Sequence, residues 1–399
     1  MISLLKLSDK NSPVYACGFR PFFLVAAIYT VLLSLHYFIF GYVVYRDGFN
    51  GFNLVWYQYE FLFGSGLAAL SGFLLTAFPA WTNTEKVQFG RLFTLIVVWG
   101  IARIFSWFYI YCGILPSVFF GIAYLVMLLA SLTPSVLDKK HCRHRIFYYQ
   151  LWLLLGAQSL MGLFWDIQHP EVILSWLKVC LGLVLVMYMT VFSRMSNVVV
   201  NLALDKYGII DERHFAKPPR RNFAIGVIAL YLLSDFVLPS STVSGWFSLA
   251  SAAAILNILN DWHMKKAWRD FYYQALYSVY LFVAVGFCLI GTSNIWGIPD
   301  AGLSLFSVMK GALSLSILMV LLVVGQRHTG RRLANSWLIR LAILLMFGLE
   351  ILHIAQAYEL LPSSMTLIGN NMFVLFSFLL YLFMATHMLT QPRVDGQPG

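Results

Sequence analysis

Five ionisable residues lie inside long apolar runs of this sequence, where charged side chains are rare. They are Glu60, Arg103, Lys310, Glu350 and His353. A charge in lipid costs free energy, so such residues usually face a cavity, pair with one another or relay protons. A buried carboxylate suits proton transfer, and a buried cation suits an anionic group. These residue types therefore indicate ligand binding or proton relay inside a membrane.

The composition predicts that the elements holding these residues are membrane-spanning helices. Of the 399 residues, 60% are hydrophobic and only 11% are charged, against about a quarter in soluble domains. Repeated runs of about 20 apolar residues are typical of a polytopic membrane protein. We predict an all-α bundle of twelve transmembrane helices. The helices are expected at 21–43, 54–78, 91–109, 114–134, 146–165, 172–198, 222–238, 243–260, 271–292, 302–325, 337–359 and 365–390.

The domain organisation follows from the same pattern. No segment outside the apolar runs is long enough to fold alone, so we predict one integral membrane domain over residues 1–399. Two six-helix halves, 1–200 and 220–399, are arithmetically possible, although no repeat is visible in the sequence. Twelve helices do not by themselves imply internal symmetry.

The net charge of +10 points to the lipid bilayer as partner and not to nucleic acid. The basic residues cluster in short loops on one side of the predicted helices, and this asymmetry predicts that both termini are cytoplasmic. The loop 205–221 is a candidate docking surface for a protein partner. The positive-inside rule, by which basic residues collect in cytoplasmic loops, explains the basic residues of this loop more simply.

The predicted helix directions place the buried ionisable residues in the outer half of the membrane. Glu60 and Glu350 carry the opposite charge to Arg103 and Lys310, and Glu350 and His353 share a helix face at spacing i, i+3. We therefore predict a polar cavity in the periplasmic half that takes a small molecule. The alternative is a set of structural interhelical pairs.

Motifs of soluble enzymes and metal sites are missing from the sequence. The five cysteines are scattered without a C-x-x-C pair, and "HCRH" at 141–144 lies among basic residues that would repel a cation. There is no P-loop, no G-x-S-x-G and no dinucleotide fingerprint. Spacing alone thus predicts neither a catalytic residue nor a metal ligand.

A set of short motifs spans almost the whole chain in a recognisable order. They are "GFRPFF" at 18–23, "GFLLTAFPAWT" at 72–82, "GRL" at 90–92, "SRMSNVVVNLAL" at 193–204, "RHTGR" at 327–331 and "RVDG" at 393–396. Together they resemble the NnrS family of bacterial inner-membrane proteins. The resemblance implies a multi-pass protein of the inner membrane linked to the nitric-oxide response. It also implies haem b and copper, held by histidines.

The sequence departs from the family pattern where that pattern places histidines. The family motif W-H-x-H-E falls on residues 56–60, so that Tyr57 and Tyr59 replace both histidines while Glu60 is kept. Two further family histidines fall on Tyr277 and Phe306. Copper sites prefer imidazole or thiolate ligands, whereas tyrosinate can hold ferric haem. One interpretation is a diverged member that lost its metal site, and the alternative is tyrosinate ligation at Tyr57 or Tyr59.

Three functions are open at this point. The first is the role implied by the resemblance, in nitric-oxide and nitrosative-stress physiology. The second is a transporter or permease for a small anionic or zwitterionic molecule, using the buried charges. The third is a structural or assembly partner acting through its basic loops.

Overall fold

The computed structural model of the chain describes residues 12–46, 51–137, 144–165, 170–209, 211–262, 267–298 and 302–397. Over these residues the chain is helical and contains no strand. The predicted all-α class is therefore confirmed. The loops 138–143 and 166–169, which include most of the basic "DKKHCRHR" segment, lie outside the described residues.

Twelve long helices occupy the described part of the chain, close to the predicted positions. They are α1 Phe19–Arg46, α2 51–82, α3 Phe89–Trp107, α4 Leu115–Leu137, α5 Arg145–Leu163, α6 Pro170–Lys206, α7 Pro218–Val237, α8 Thr242–Leu259, α9 Phe271–Trp296, α10 Gly302–His328, α11 Trp337–Ala357 and α12 Ser363–Thr390.

Eleven of these helices are long and apolar enough to cross a membrane, judged by length and composition over the described residues. A helix satisfies its own backbone hydrogen bonds, which is why apolar runs of this length become helices in lipid. The remaining one, α7, is 20 residues long and carries Arg220, Arg221 and Asp235. The chain is thus a multi-span helical protein.

Two helices differ from the prediction. The first is α6, which runs for 37 residues and extends eight residues beyond its predicted end at 198. The second is α2, in which α-helical Gly51–Glu60 and Leu67–Thr82 flank a π-helical segment, Phe61–Gly66. A π-helical turn inserts extra residues without ending the helix, so the apolar pattern alone does not reveal it.

The chain divides into two compact units that are discontinuous in sequence. The first unit comprises 1–184, 320–342 and 374–399, and the second comprises 185–319 and 343–373. All four divisions fall inside helices, namely α6, α10, α11 and α12. The single integral domain and the two halves 1–200 and 220–399 stay predictions.

Within the first unit, α1 packs along the π-helical segment and the second α-helical part of α2. The helices α3, α4 and α5 pack in sequence, and α4 also contacts the second part of α2. All six residues of the π-helical segment are buried. The segment therefore lies in the interior of this unit.

Within the second unit, α8 packs against both α7 and α9. A Cβ on Gly291 would lie 3.0 Å from the carbonyl oxygen of Gly245, and Ser248 Oγ donates to the carbonyl of Phe287 at 2.6 Å. Small residues of this kind allow two helix backbones to approach closely in a membrane. The α8–α9 pair is therefore a close helix–helix contact.

Candidate functional site

Glu60 is the centre of a buried ionic network in the first unit. Its carboxylate is completely buried at the end of the first α-helical part of α2. Arg103 on α3 is 4% exposed, and its Nη1 lies 2.7 Å from Glu60 Oε1. The two opposite charges compensate each other, which lowers the cost of burying either one. The pairing of Glu60 with Arg103 places two of the predicted site residues in contact.

The second carboxylate oxygen of Glu60 is also engaged. The hydroxyl of Tyr29 on α1 donates to Glu60 Oε2. Trp107 Nε1 on α3 donates in turn to the same hydroxyl at 2.8 Å. The chain Trp107–Tyr29–Glu60–Arg103 is therefore a continuous hydrogen-bonded network across three helices, and such networks fix one arrangement of their members.

The π-helical segment begins directly after Glu60 and is shaped by its glycines. A Cβ on Gly64 would lie 2.3 Å from Tyr29 Cε1, so only glycine leaves room for that ring. Trp99 Nε1 on α3 donates to the carbonyl of Gly64 at 3.3 Å. The segment thus holds Tyr29 against Glu60. Single π-helical turns inside α-helices are frequent at functional sites.

Tyr57 and Tyr59, at the family's histidine positions, lie beside this network. The guanidinium of Arg103 lies 5.3 Å from the centre of the Tyr59 ring, and Gln158 Nε2 on α5 lies 3.4 Å from the Tyr59 hydroxyl. The Tyr57 ring is 4.0 Å from the Tyr37 ring, centre to centre. Both tyrosines are at most 1% exposed.

These tyrosines do not match the ligands of a copper centre. Copper sites prefer imidazole or thiolate ligands, and no group of three or more His, Cys, Asp and Glu side chains converges in the part of the chain that the structure describes. The hydroxyl of Tyr59 already contacts Gln158, and the Tyr57 ring is packed against Tyr37. The donors present are phenols enclosed by other side chains.

A small void adjoins the network, between Arg103, Gln158, Gly121, Tyr124 and Trp99. It leaves no space for a water molecule. Two of its polar groups, Arg103 Nε and Gln158 Oε1, are buried without a hydrogen-bond partner. Unsatisfied buried polar atoms are rare and call for an explanation. The void is too small to hold a ligand, and the predicted ligand-sized cavity stays a prediction.

Glu350 and His353 form a separate polar cluster in the second unit. Glu350 is fully buried and His353 is 2% exposed, on neighbouring turns of α11. A Cβ on Gly311 of α10 would lie 2.5 Å from Glu350 Oε1 and 2.7 Å from His353 Nδ1, so these two atoms are at most 5.2 Å apart (2.5 + 2.7). Both oxygens of Glu350 and Nδ1 of His353 lack a hydrogen-bond partner.

This cluster differs from the Glu60 network in its chemistry. An unpaired carboxylate inside the protein is costly, and a bound proton or a bound cation removes that cost. Lys310 precedes Gly311 on α10 and adds a second basic side chain to the surroundings of His353. The cluster therefore joins one acidic and two basic side chains in the interior of the second unit.

The five predicted site residues thus fall into two groups. Glu60 and Arg103 belong to the first unit, whereas Lys310, Glu350 and His353 belong to the second. Tyr277 also lies in the second unit, where its ring is 4.7 Å from that of Trp268. Whether one cavity serves all five residues stays a prediction.

Sequence reasoning missed four contributors to the Glu60 network. Trp107 Nε1 donates to the Tyr29 hydroxyl, and Trp56 Nε1 donates to the Ser106 carbonyl and hydroxyl at 3.0 Å each. The Ser106 side chain in turn is hydrogen-bonded to Glu60. Tyr29 and Ser106 are uncharged, and nothing in an apolar run distinguishes them from ordinary packing residues. The one usable signal was the proximity of Ser106 and Trp107 to Arg103 on the same helix.

A bundle of membrane-crossing helices with charged residues paired in its interior defines a multi-pass helical membrane protein. The family described as NnrS protein matches residues 13–393, which is nearly the whole chain. The chain therefore belongs to the NnrS family, as the motifs predicted. Comparison with curated proteins and with solved structures gave no match.

Proposed function

We propose that this protein acts in the nitric-oxide and nitrosative-stress physiology of a bacterial inner membrane. The observation that carries the proposal is the family match over residues 13–393. The family motif around Glu60 keeps its acid, and that acid is bound by Arg103 and Tyr29. The distribution of basic loops supports cytoplasmic termini and a polar region toward the periplasm.

We further propose that the protein works through its buried polar network and not through a haem or copper centre. Support comes from the donor set, because the family's histidine positions carry Tyr57, Tyr59 and Tyr277. The absorption spectrum of the purified protein tests this part. We expect no Soret band, and a stoichiometric b-type haem that is retained through purification would overturn it.

A complementation assay tests the physiological role. A strain deleted for this gene is exposed to a nitric-oxide donor and supplied with wild type, Glu60→Gln or Glu85→Gln. Glu85 is an exposed acid on the loop after α2 and serves as the matched control. We expect wild type and Glu85→Gln to restore growth and Glu60→Gln to fail at equal membrane abundance. Equal growth of the deletion strain and the wild type under nitric oxide would refute the role.

A second function, a permease for a small anionic or zwitterionic molecule, is favoured by the Glu350–His353 cluster. Unpaired acid and base groups buried inside membrane helices are typical of proton-coupled transport. The interruption of α2 by a π-helical segment also suits a helix that changes shape. Proteoliposomes on a solid-supported membrane, challenged with a panel of small carboxylates and amino acids, would reveal substrate-induced currents.

The permease function predicts a current that requires Glu350. We expect Glu350→Gln to abolish it and Glu359→Gln, an exposed acid just beyond the end of α11, to leave it intact. This function would be excluded for these substrates if no compound of the panel elicits a current. It would also be excluded if the current is unchanged in Glu350→Gln.

A further inference from the structure

A cavity of about 430 Å³ opens in the first unit, away from Glu60. It lies between the last turns of α10, the loop 329–336, the start of α11 and the last turns of α12. Its volume falls within the range of small-molecule sites, roughly 300–1,000 Å³. None of the residues predicted to bind a ligand lines it.

Two polar groups on the cavity wall lack partners. Tyr381 is completely buried, yet its hydroxyl makes no hydrogen bond, and Arg331 Nη1 is also buried without a partner. Leaving such groups unsatisfied costs about 1–3 kcal/mol each, and more for a charged group. The cavity wall thus contains one hydroxyl and one guanidinium donor that are unpartnered, and a ligand oxygen that reaches either donor would satisfy it.

The loop that carries Arg331 is held in place by its own hydrogen bonds. Arg331 N donates to the carbonyl of Gln326 at 3.0 Å, and Ala334 N donates to Gln326 Oε1 at 2.6 Å. Gly330 has a φ of +79°, a conformation that glycine adopts without strain. The Arg331 guanidinium is therefore presented from an ordered turn.

Charge and hydrophobicity on the cavity wall specify the ligand. Arg331 and Arg332 both line the cavity, and among the described residues that line it there is no Asp or Glu. The remaining wall carries the polar residues Gln326, Ser336 and His387 and is otherwise apolar, with Leu322, Met384 and Met388 among its members. Guanidinium groups bind phosphate and carboxylate oxygens well. An anionic head joined to an apolar tail matches both surfaces.

We propose that this cavity binds an anionic phospholipid, with its phosphate on Arg331 and Tyr381 and an acyl chain along Met384 and Met388. Basic pockets between membrane helices on the cytoplasmic side take lipid head groups. The predicted topology puts the loop "RHTGRR" on that side. The site is independent of the proposed nitric-oxide role, since it shares no residue with the Glu60 network.

Lipid binding is tested on the full chain purified in detergent. Phosphatidylglycerol, phosphatidylcholine, a free fatty acid and inorganic phosphate are added separately, and binding is followed by native mass spectrometry and thermal unfolding. We expect phosphatidylglycerol to bind and to raise the unfolding temperature, and phosphatidylcholine and inorganic phosphate to do neither. A fatty acid that binds as tightly as phosphatidylglycerol would overturn the choice of phospholipid.

Three variants locate the site. Arg331→Gln and Tyr381→Phe should each weaken phosphatidylglycerol binding by roughly tenfold or more, because a hydrogen bond to a charged group is lost. Arg340→Gln is the matched control, since this exposed arginine on α11 donates to Asn335 Oδ1 at 2.7 Å and does not line the cavity. If Arg331→Gln does not fold, the lipid affinity of Tyr381→Phe alone tests the location of the site. Equal lipid affinity in Tyr381→Phe and Arg340→Gln would refute the site.

Discussion

At the scale of single residues, the chemistry of the first unit depends on how Glu60 is satisfied. The carboxylate has Arg103 on one oxygen and Tyr29 on the other, so neither oxygen is left unpaired. Removing one member of a buried ion pair is far more costly than removing both, because the remaining charge stays buried without compensation.

A double-mutant cycle should reveal this coupling. Arg103→Leu is expected to lower the free energy of unfolding by about 3–5 kcal/mol. Adding Glu60→Gln to that variant should recover part of the loss, since no buried charge then remains. Thermal or denaturant unfolding in detergent measures the cycle. If the effects of the two substitutions simply add, the pair is not energetically coupled.

The Glu60–Arg103 pair could be anticipated in part from the sequence. Charges of opposite sign in neighbouring apolar runs predict pairing, because lipid offers no other compensation. Tyr29 and Gln158 could not be predicted, since their contacts depend on the rotation of α1 and α5 about their axes. The lack of partners on Glu350 and His353 is likewise visible only in three dimensions.

At the scale of elements, the π-helical segment Phe61–Gly66 is the feature that distinguishes α2 from an ordinary span. Its glycines allow Tyr29 to approach the helix backbone. The sequence "FLFGSG" continues the apolar run without a proline, so periodicity gives no sign of the extra residues. The length of an apolar run determines whether a helix forms. The packing of side chains determines whether one of its turns is α-helical or π-helical.

Gly64→Ala should disturb this segment. The new methyl group would collide with the Tyr29 ring at 2.3 Å, and overpacking of this kind costs about 1–3 kcal/mol. Gly100→Ala on α3 is the control, because nothing lies within 4 Å of its Cβ position. Unfolding temperatures should fall for Gly64→Ala and stay constant or rise for Gly100→Ala. A stable Gly64→Ala would show that Tyr29 moves freely.

The loop between α6 and α7 is fastened to α6 by polar contacts. Asn201 Oδ1 accepts from His214 N at 2.8 Å, and Asn201 Nδ2 donates to the His214 carbonyl at 3.0 Å. Asn197 Oδ1 accepts from Ala216 N at 2.8 Å. The loop 205–221, predicted as a candidate docking surface, thus binds the protein's own helix; a role in binding a partner stays a prediction.

This loop should make stability depend on pH through His214. Burial lowers the pKa of its imidazole below the ordinary value of about 6.5, so the unfolded chain takes up a proton before the folded one does. The contribution of the neutral His214 to the free energy of unfolding is therefore fully present above about pH 6.5. This contribution is lost as the pH falls below that value. Unfolding temperatures from pH 8 to pH 5 should fall more steeply for wild type than for His214→Gln. Parallel curves would contradict the assignment.

At the scale of the whole molecule, the first unit unites the start and the end of the chain. Arg20 Nη1 at the beginning of α1 donates to the carbonyls of Leu389 and Gln391. Val394 N donates to the Thr329 carbonyl at 3.2 Å, and the carboxylate of Asp395 lies against Gly330. Three distant parts of the sequence, including the motifs "RHTGR" and "RVDG", therefore meet within this unit.

Arg20→Gln should loosen the end of the chain. It removes a buried donor from two carbonyl groups, at an expected cost of about 1–3 kcal/mol. Limited proteolysis in detergent should then cleave residues 391–397 faster than in wild type. Arg91→Gln, an exposed arginine near the start of α3, serves as the control. Equal cleavage rates for all three proteins would show that other contacts hold the tail.

The first unit consists of three separate segments of the sequence, which limits how early in synthesis it can assemble. Residues 1–184 are synthesised before residues 374–399 of the same unit, and the carbonyl groups of Leu389 and Gln391 follow Arg20 by 369 and 371 positions. At about 5–20 residues per second, this interval is roughly 20–75 s. Until then Arg20 lacks its carbonyl partners, so the packing of the first unit is completed only after α12 has been made.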